Sequence, residues 1–436
     1  MRLQIHPEFL SVGAALLALL TCGCRPLETS TSAVDDHAPE VSNHLASIAA
    51  AGAPVTLDQL DRFYVEPPTG QNGAHLYLKA FDLLGTQGTN STAHNQEILD
   101  LLFRAAEQPS SRYPVDLRNG PRILLRHLTQ FRTGAALLAD EAVTQAGLGR
   151  TEAATAALLA GFRLARSLDE EPVLISKQVK LACLGITLDA LERSLVRGAF
   201  TAAELLRLES ALQAAEQAVS LRRALLGERA QLVALFQSSN LQLAEATAMN
   251  GNGVAPHLLE TYRSDGHLER DFAFTLHFMS NLVALASMSF PEALDAADRM
   301  RVPDAATALD RKLVLSAILL PPPQVTFRKG AETMARIRLA RTVLGVEGSR
   351  LERGGALPDS LEEIPVGAAD GIPRDPFNGL PLRYRLLPAG GYSVWSVGPD
   401  RKDDGGSTRR SDDGSSVDVV MTLTTAPGVR RVPPAP

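Results

Sequence analysis

The sequence predicts a mainly α protein: a helical bundle or irregular helical-hairpin body, then a small C-terminal α+β module with a long helix packed on a three-stranded antiparallel sheet. Three observations carry this. From Thr56 to Leu319, apolar residues recur at three- and four-residue spacing behind hydroxyl caps. Pro321, Pro322 and Pro323 then interrupt the pattern with residues that donate no backbone hydrogen bond. One more helical stretch follows, and after it short segments alternate apolar and polar residues.

The N-terminus reads as a targeting segment. Arg2 precedes an uncharged apolar run, Phe9–Leu20, and then Thr21-Cys22-Gly23-Cys24. About a dozen apolar residues are too few to span a bilayer, which takes roughly 20. Residues 1–24 are expected to be a signal peptide. Small residues before Cys24 resemble a bacterial lipobox, which would make Cys24 the lipidated residue; a plain cleaved secretory signal is the alternative. Residues 25–53, rich in Ser, Thr, Pro, Asp and Ala, read as a flexible tether.

Residues 54–320 form the expected all-helical domain. Thr56 with Gln59, Thr201 with Glu204 and Ser289 with Glu292 match the capping box and mark three helix starts. Behind Thr201, Leu205, Leu206, Leu208, Leu212 and Ala215 define an apolar face. Gly134–Ala146 and Ala153–Leu168, joined at Gly147–Arg150, resemble a single tetratricopeptide-type hairpin, although no second copy recurs at a fixed period. Met249–Val254, with two glycines, breaks the helical pattern as a surface loop.

A long helix is expected from Thr326 to Arg353, with Met334, Ile337, Ala340, Leu344 and Leu351 on its apolar face. Ser360 with Glu363 opens a short turn. Strands are expected at Pro381–Leu387, Gly391–Val397 and Val417–Leu423, the first two joined by a turn at Pro388–Gly391. The tail 424–436 is expected to be disordered.

Chemistry is sparse. Net charge is −6 and the 43 basic residues are scattered, which argues against a nucleic-acid footprint. There is no His-Glu-x-x-His, Gly-x-Ser-x-Gly or phosphate-binding glycine loop. His257, Glu260, His267, Glu269, Arg270 and Asp271 read as a solvated helix face in preference to a site. Asp169, Glu170 and Glu171 read as helix-end charges, and Cys183 as a small core residue.

The residues from Leu351 onward resemble a known family. Leu351–Leu361, Arg374-Asp375-Pro376-Phe377-Asn378-Gly379, Tyr392–Asp400 and Asp403–Gly406 are similar, in order, to the globular domain of type II secretion pseudopilins. The resemblance covers residues 324–423. It implies a calcium-tied loop in which Asp400 and Asp418 are ligands, with Asp403, Asp404, Asp412 and Asp413 as possible additions. Arg401, Arg409 and Arg410 offer another way to neutralise these acids, and Asp and Gly also populate ordinary turns. The family assembles through an N-terminal apolar helix matured at a Gly-Phe site, which has no counterpart here, so the resemblance does not imply pilus assembly. The expected function is a non-catalytic cell-envelope lipoprotein facing the periplasm or exterior. It would be held to the membrane by its lipid, with a helical domain that binds a protein partner or acts as a scaffold. The alternative is an exported hydrolase using carboxylates gathered in the helical domain.

Overall fold

The computed structural model describes residues 38–85, 92–251, 253–364, 372–409 and 417–424. The signal, Cys24, residues 25–37, Arg410, Asp412, Asp413 and the tail from residue 425 lie outside them. Among the described residues no helix is long and apolar enough to cross a membrane.

Helix α1 (Ala38–Ala50) corrects the expectation that the tether runs to residue 53. Val41, Leu45 and Ile48 recur along one of its faces, so the segment has an apolar stripe to bury. They pack against an apolar cluster that includes Leu243, Phe236 and Phe272. Helix α2 (Leu57–Phe63) starts at the Thr56 capping box, with both reciprocal bonds to Gln59 present. Then come α3 (Ala74–Gly85), α4 (Thr92–Ala106) and a 3-10 turn, Leu117–Arg122.

Helices α5 (Leu128–Gly147) and α6 (Thr151–Arg166) are the hairpin read from the sequence, the first starting six residues earlier than expected and the second shifted two residues towards the N-terminus. Helix α7 (Leu174–Arg197) packs on both. Helix α8 (Ala202–Gln217) begins at the Thr201 box and buries Leu205, Leu208, Leu212 and Ala215. Leu206 is 67% exposed, because one residue past Leu205 turns a helix about 100° away from the buried stripe.

Helices α9 (Arg222–Phe236), α10 (Asn240–Met249), α11 (Pro256–Ser264) and α12 (His267–Leu285) form the other half of the body. The break read at Met249–Val254 separates α10 from α11. Gly227 of α9 sits against the turn after α6: a Cβ there would stand 1.7 Å from the Pro172 carbonyl oxygen, so only glycine allows this approach. Helix α13 (Phe290–Arg299) has Ser289 as its N-cap, but the expected capping box does not form. The Ser289 hydroxyl donates to the Glu292 carboxylate at 3.1 Å instead of accepting a backbone amide. Helices α14 (Ala305–Arg311) and α15 (Val314–Leu319) complete the body.

The long helix α16 (Pro323–Glu352) begins inside the proline triplet, with Pro322 as N-cap and Pro323 in the first turn. Proline is favoured there, since its missing N–H would have no helical partner anyway and its fixed φ suits a helix. The expected face Met334, Ile337, Ala340 and Leu344 is buried, but so are Phe327, Ala331, Ala335, Leu339 and Val343. A helix buried on several faces is enclosed by neighbours. Here these are α7, α8, α13 and the sheet.

The sheet is an antiparallel meander of β1 (Arg383–Leu386), β2 (Gly391–Ser396) and β3 (Val419–Thr424). Tyr384 faces Val394, and Val394 faces Met421. Gly391 has φ of 95°, and a Cβ there would meet the Leu423 carbonyl at 2.1 Å, so the turn before β2 requires glycine. Edge strand β3 docks on α7, where the Thr422 amide donates to Glu192 at 2.8 Å. Tyr392, Val394, Met421 and Leu423 share one apolar cluster with α3–α8 and α16. The apolar interior therefore runs continuously across the proline triplet.

Candidate functional site

The turn after β2 contains the acids expected to hold calcium. Asp418 is buried and accepts backbone amides from Gly406 at 2.8 Å, Ser407 at 3.0 Å and Asp404 at 3.4 Å. Burial raises its carboxyl above the ordinary range, against these bonds. Asp403 accepts the Trp395 indole at 2.9 Å, the Gly405 amide at 3.1 Å and the Arg383 guanidinium at 3.0 Å. The indole bond is the chief reason its carboxyl lies below the usual range. Asp400 accepts the Lys402 amide at 3.0 Å.

Arg401 adopts a left-handed φ of 61°, unfavourable for any residue with a Cβ, and its guanidinium pairs with Asp295 and Asp298 of α13. Arg401 therefore serves as a tie from the turn to the helical body and does not neutralise the turn's own acids.

Calcium needs about six to eight oxygens around one point. Among the described residues no three His, Cys, Asp or Glu side chains gather as a group that could hold a metal. Asp400, Asp403 and Asp418 accept the bonds given above, while Asp404 is exposed and lends its amide to Asp418, so the described carboxylates are not gathered around one ion in this arrangement.

An acid that the sequence reading passed over organises this end of the molecule. Asp375 is fully buried and accepts the Val397 amide at 2.8 Å, the Phe377 amide and Ser396 hydroxyl at 2.9 Å, and Arg383 at 3.3 Å. Arg383 thus bridges Asp375 and Asp403. The Asp-Pro-Phe run was the available signal, since an Asp ahead of a proline commonly starts a turn.

Next to this segment, a cleft of about 590 Å³ opens between α8–α9, α12–α13, α16 and the Ile372–Asp375 segment. Leu221, Phe290, Phe327 and Met334 give it an apolar lining, and Met288, 50% exposed, stands at its margin. One wall is a fixed ionic ladder. Glu216 accepts Arg338 at 2.8 Å and Arg341 at 2.6 Å, while Arg341 also reaches Glu209 at 2.8 Å. Burial raises the Glu209 carboxyl, against the bonds from Arg341. Arg338 further donates to the Arg374 carbonyl at 2.6 Å, which binds the far side of the cleft to α16.

No family model, curated protein or solved structure matches the chain.

Several of the remaining candidate groups are drawn into the interior. Glu171, expected as a helix-end charge, is buried. It accepts His127 at 3.0 Å, Tyr64 at 3.3 Å and the Ser176 hydroxyl. Tyr113 stacks on His127 with centroids 4.6 Å apart, and its amide donates to the Tyr64 oxygen at 2.9 Å. Beside this node, Lys177 and Lys180 of α7 both donate to the Ala218 carbonyl at 2.6 Å, and Lys180 also pairs with Asp169. A helix C-terminus favours such cations, and Ala218 is the C-cap of α8.

Asp271 corrects the reading of residues 257–271 as a wholly solvated face. It is fully buried and accepts Tyr262 at 2.9 Å, the Leu315 and Ser316 amides at 2.7 and 3.0 Å, and the Ser316 hydroxyl. Arg270 and His257 are exposed, as expected. Cys183 is buried, and burial raises its thiol to about 12, as befits a core residue.

Proposed function

We propose that the protein is a non-catalytic scaffold of the cell envelope whose cleft between the helical body and the C-terminal segment receives an apolar stretch of a protein partner. The observation that carries this reading is the cleft itself. Its apolar lining, half-exposed Met288 and pre-formed Glu216–Arg338–Arg341 wall supply an apolar surface beside polar groups already fixed in place. Apolar concavities with a few oriented polar groups are the usual form of binding sites, and pre-fixed side chains lose little entropy on binding. Placement in the envelope rests on Phe9–Leu20 and Cys24.

A photo-cross-linking residue at position 288, compared with one at the exposed position 206 of α8, tests the cleft in cells producing the full chain. A discrete adduct from 288 alone is the expected result. No adduct from 288, or the same adduct from both positions, overturns the reading. Fractionation of Cys24→Ser tests the anchor: the wild-type chain should sediment with membranes and the variant should not. A wild-type chain found only in the soluble fraction removes the lipid from the account.

A further inference from the structure

One end of the layer formed by α1, α9 and α12 holds a buried positive charge with no counter-charge among the described residues. Along most of this layer the packing is apolar: Phe236 stacks on Phe272 with centroids 5.0 Å apart, among Val233, Leu276 and Ile48. Helical spacing then places polar residues on the same faces. Arg229 is one turn before Val233, Ser280 one turn after Leu276, and His44 one turn before Ile48. Arg229 donates to the Ser280 hydroxyl oxygen at 3.3 Å, and His44 Nε2 lies 3.0 Å from that same oxygen. The ring of His277 is edge-on to His44, with centroids 6.4 Å apart.

Arg229 is only 5% exposed, and its Nε has no hydrogen-bond partner. Burial, and then repulsion from Arg222 on the same helix, lower its pKa to about 10, with no acid offsetting them. Among the described residues the buried Lys180 meets Asp169, and the half-buried Arg341 and Arg383 meet Glu209 and Glu216, and Asp375, while the buried Lys177 donates to the Ala218 carbonyl at a helix end. A buried ion without a partner is strongly unfavourable, so an unmatched guanidinium points to a charge supplied from outside. Around it, His277 and Arg222 are exposed and His44 and Ser280 are half-buried. The acid acting on His44 is Glu40, at the exposed start of α1, and it is outweighed by burial, His277 and Arg229.

We propose that Arg229, Ser280, His44 and His277 form a binding site for a tetrahedral oxyanion of the phosphate type. Its source is either inorganic phosphate or the phosphodiester of an anionic lipid headgroup. The guanidinium supplies a planar set of charged donors. Arg229 donates into the Ser280 oxygen, and when His44 Nε2 carries a hydrogen and donates there too, as it does in the imidazolium, the Ser280 hydroxyl proton is left to point outward. A bound anion also favours the imidazolium form of His44, adding charge to the site as it fills. The lipid source fits the position of α1. If Cys24 carries the anchor, residues 25–37 can span at most about 45 Å of extended chain, which keeps His44 near the membrane surface. That clause alone rests on the lipoprotein reading, and no part of the proposal depends on the cleft.

The test uses the chain lacking only its signal, with sodium phosphate against sodium chloride at matched ionic strength. Calorimetric binding is read together with the histidine ring signals through a pH titration. Saturable phosphate binding and an upward move of the His44 midpoint are expected. Ser280→Ala and His277→Gln, both near the surface, should each weaken binding about tenfold, the effect of losing one charge-assisted bond. Arg229→Gln should abolish it, with circular dichroism checking that this buried variant folds. Vesicles of phosphatidylglycerol against phosphatidylcholine identify the source. Binding to the anionic vesicles that needs Ser280 and His277, with no response to free phosphate, assigns the lipid. Response to free phosphate with no vesicle preference assigns the soluble ion, and both responses together assign a site that takes either. The proposal is overturned if neither probe binds, or if binding is unchanged in Ser280→Ala and His277→Gln.

Discussion

Asp169, Glu170 and Glu171 close the α6 end of a hairpin, while Asp400, Asp403 and Asp404 fill a turn of the sheet, and as strings of acids the two look alike. Their partners differ. In the body the acids bind side chains of other elements, near and far along the chain: Asp169 takes Lys180, Glu170 takes Arg223 at 3.1 Å, and Glu171 takes Ser176 as well as the distant His127 and Tyr64. In the turn Asp400 and Asp403 each accept an amide two residues on, and Asp403 also takes the Trp395 indole and Arg383 of the neighbouring strands, with Arg401 tying the turn to α13. The first arrangement joins separate helices, so breaking it affects the whole fold. The second shapes a loop that the sheet already anchors.

The contrast sets an order of expected effects. Glu171→Ala should be the most damaging change, at about 4 kcal/mol by urea unfolding, because it strands three buried partners. A loss under about 1 kcal/mol would mean that the node is not what joins these helices. Gly227→Ala should cost about 3 kcal/mol, since its Cβ would collide with the Pro172 carbonyl just beyond Glu171. A variant of wild-type stability would show that α9 does not press on that turn.

Asp271 lies between the two cases, as a buried acid bound partly by amides. Burial raises its carboxyl to about 6 despite four donor bonds. The folded chain thus holds this proton more tightly than the unfolded chain. The stabilisation is full below about pH 4 and is lost as pH rises through 6. The difference in unfolding free energy between wild type and Asp271→Asn should shrink by on the order of 2 kcal/mol from pH 4 to pH 7. A difference independent of pH would rule out the elevated carboxyl.

Smallest of the substitutions is Asp418→Asn, expected at about 1 kcal/mol, because asparagine keeps one oxygen for the three amides. Calcium tests the turn directly. With the Asp400, Asp403 and Asp418 carboxylates already bonded to protein, chelator should leave the melting temperature of the chain unchanged. A bound ion at 100 times its dissociation constant would add about 2.7 kcal/mol, and such a gain would require the turn to rearrange around the metal.

Local signals in the sequence translated well. The Thr56 and Thr201 boxes form because both partners lie within one helical turn, and the strands appear where Tyr384, Val394 and Met421 alternate. Glu171 and Arg229 were opaque for the opposite reason. Tyr64 is 107 residues from Glu171, and His44 and Ser280 are 236 apart, so no local spacing announces either group. Leu206 was misplaced by counting apolar residues without following the angle around the helix. Residues 38–50 were read as tether because alanine and serine mask the stripe of Val41, Leu45 and Ile48. The cleft was legible only in part: the helices lining it were foreseen, but not that residues 372–375 would close over one side.

The burial of α16 on several faces also has a consequence in time. Residues 323–352 are made after every helix of the body, yet they supply the surface that α7, α8 and α13 pack against. The earlier helices must wait, with apolar sides uncovered, until residue 352 has been made. A fragment ending at Leu320 is therefore expected to be protease-sensitive along those helices, and to need a chaperone or the missing segment added in trans to become resistant.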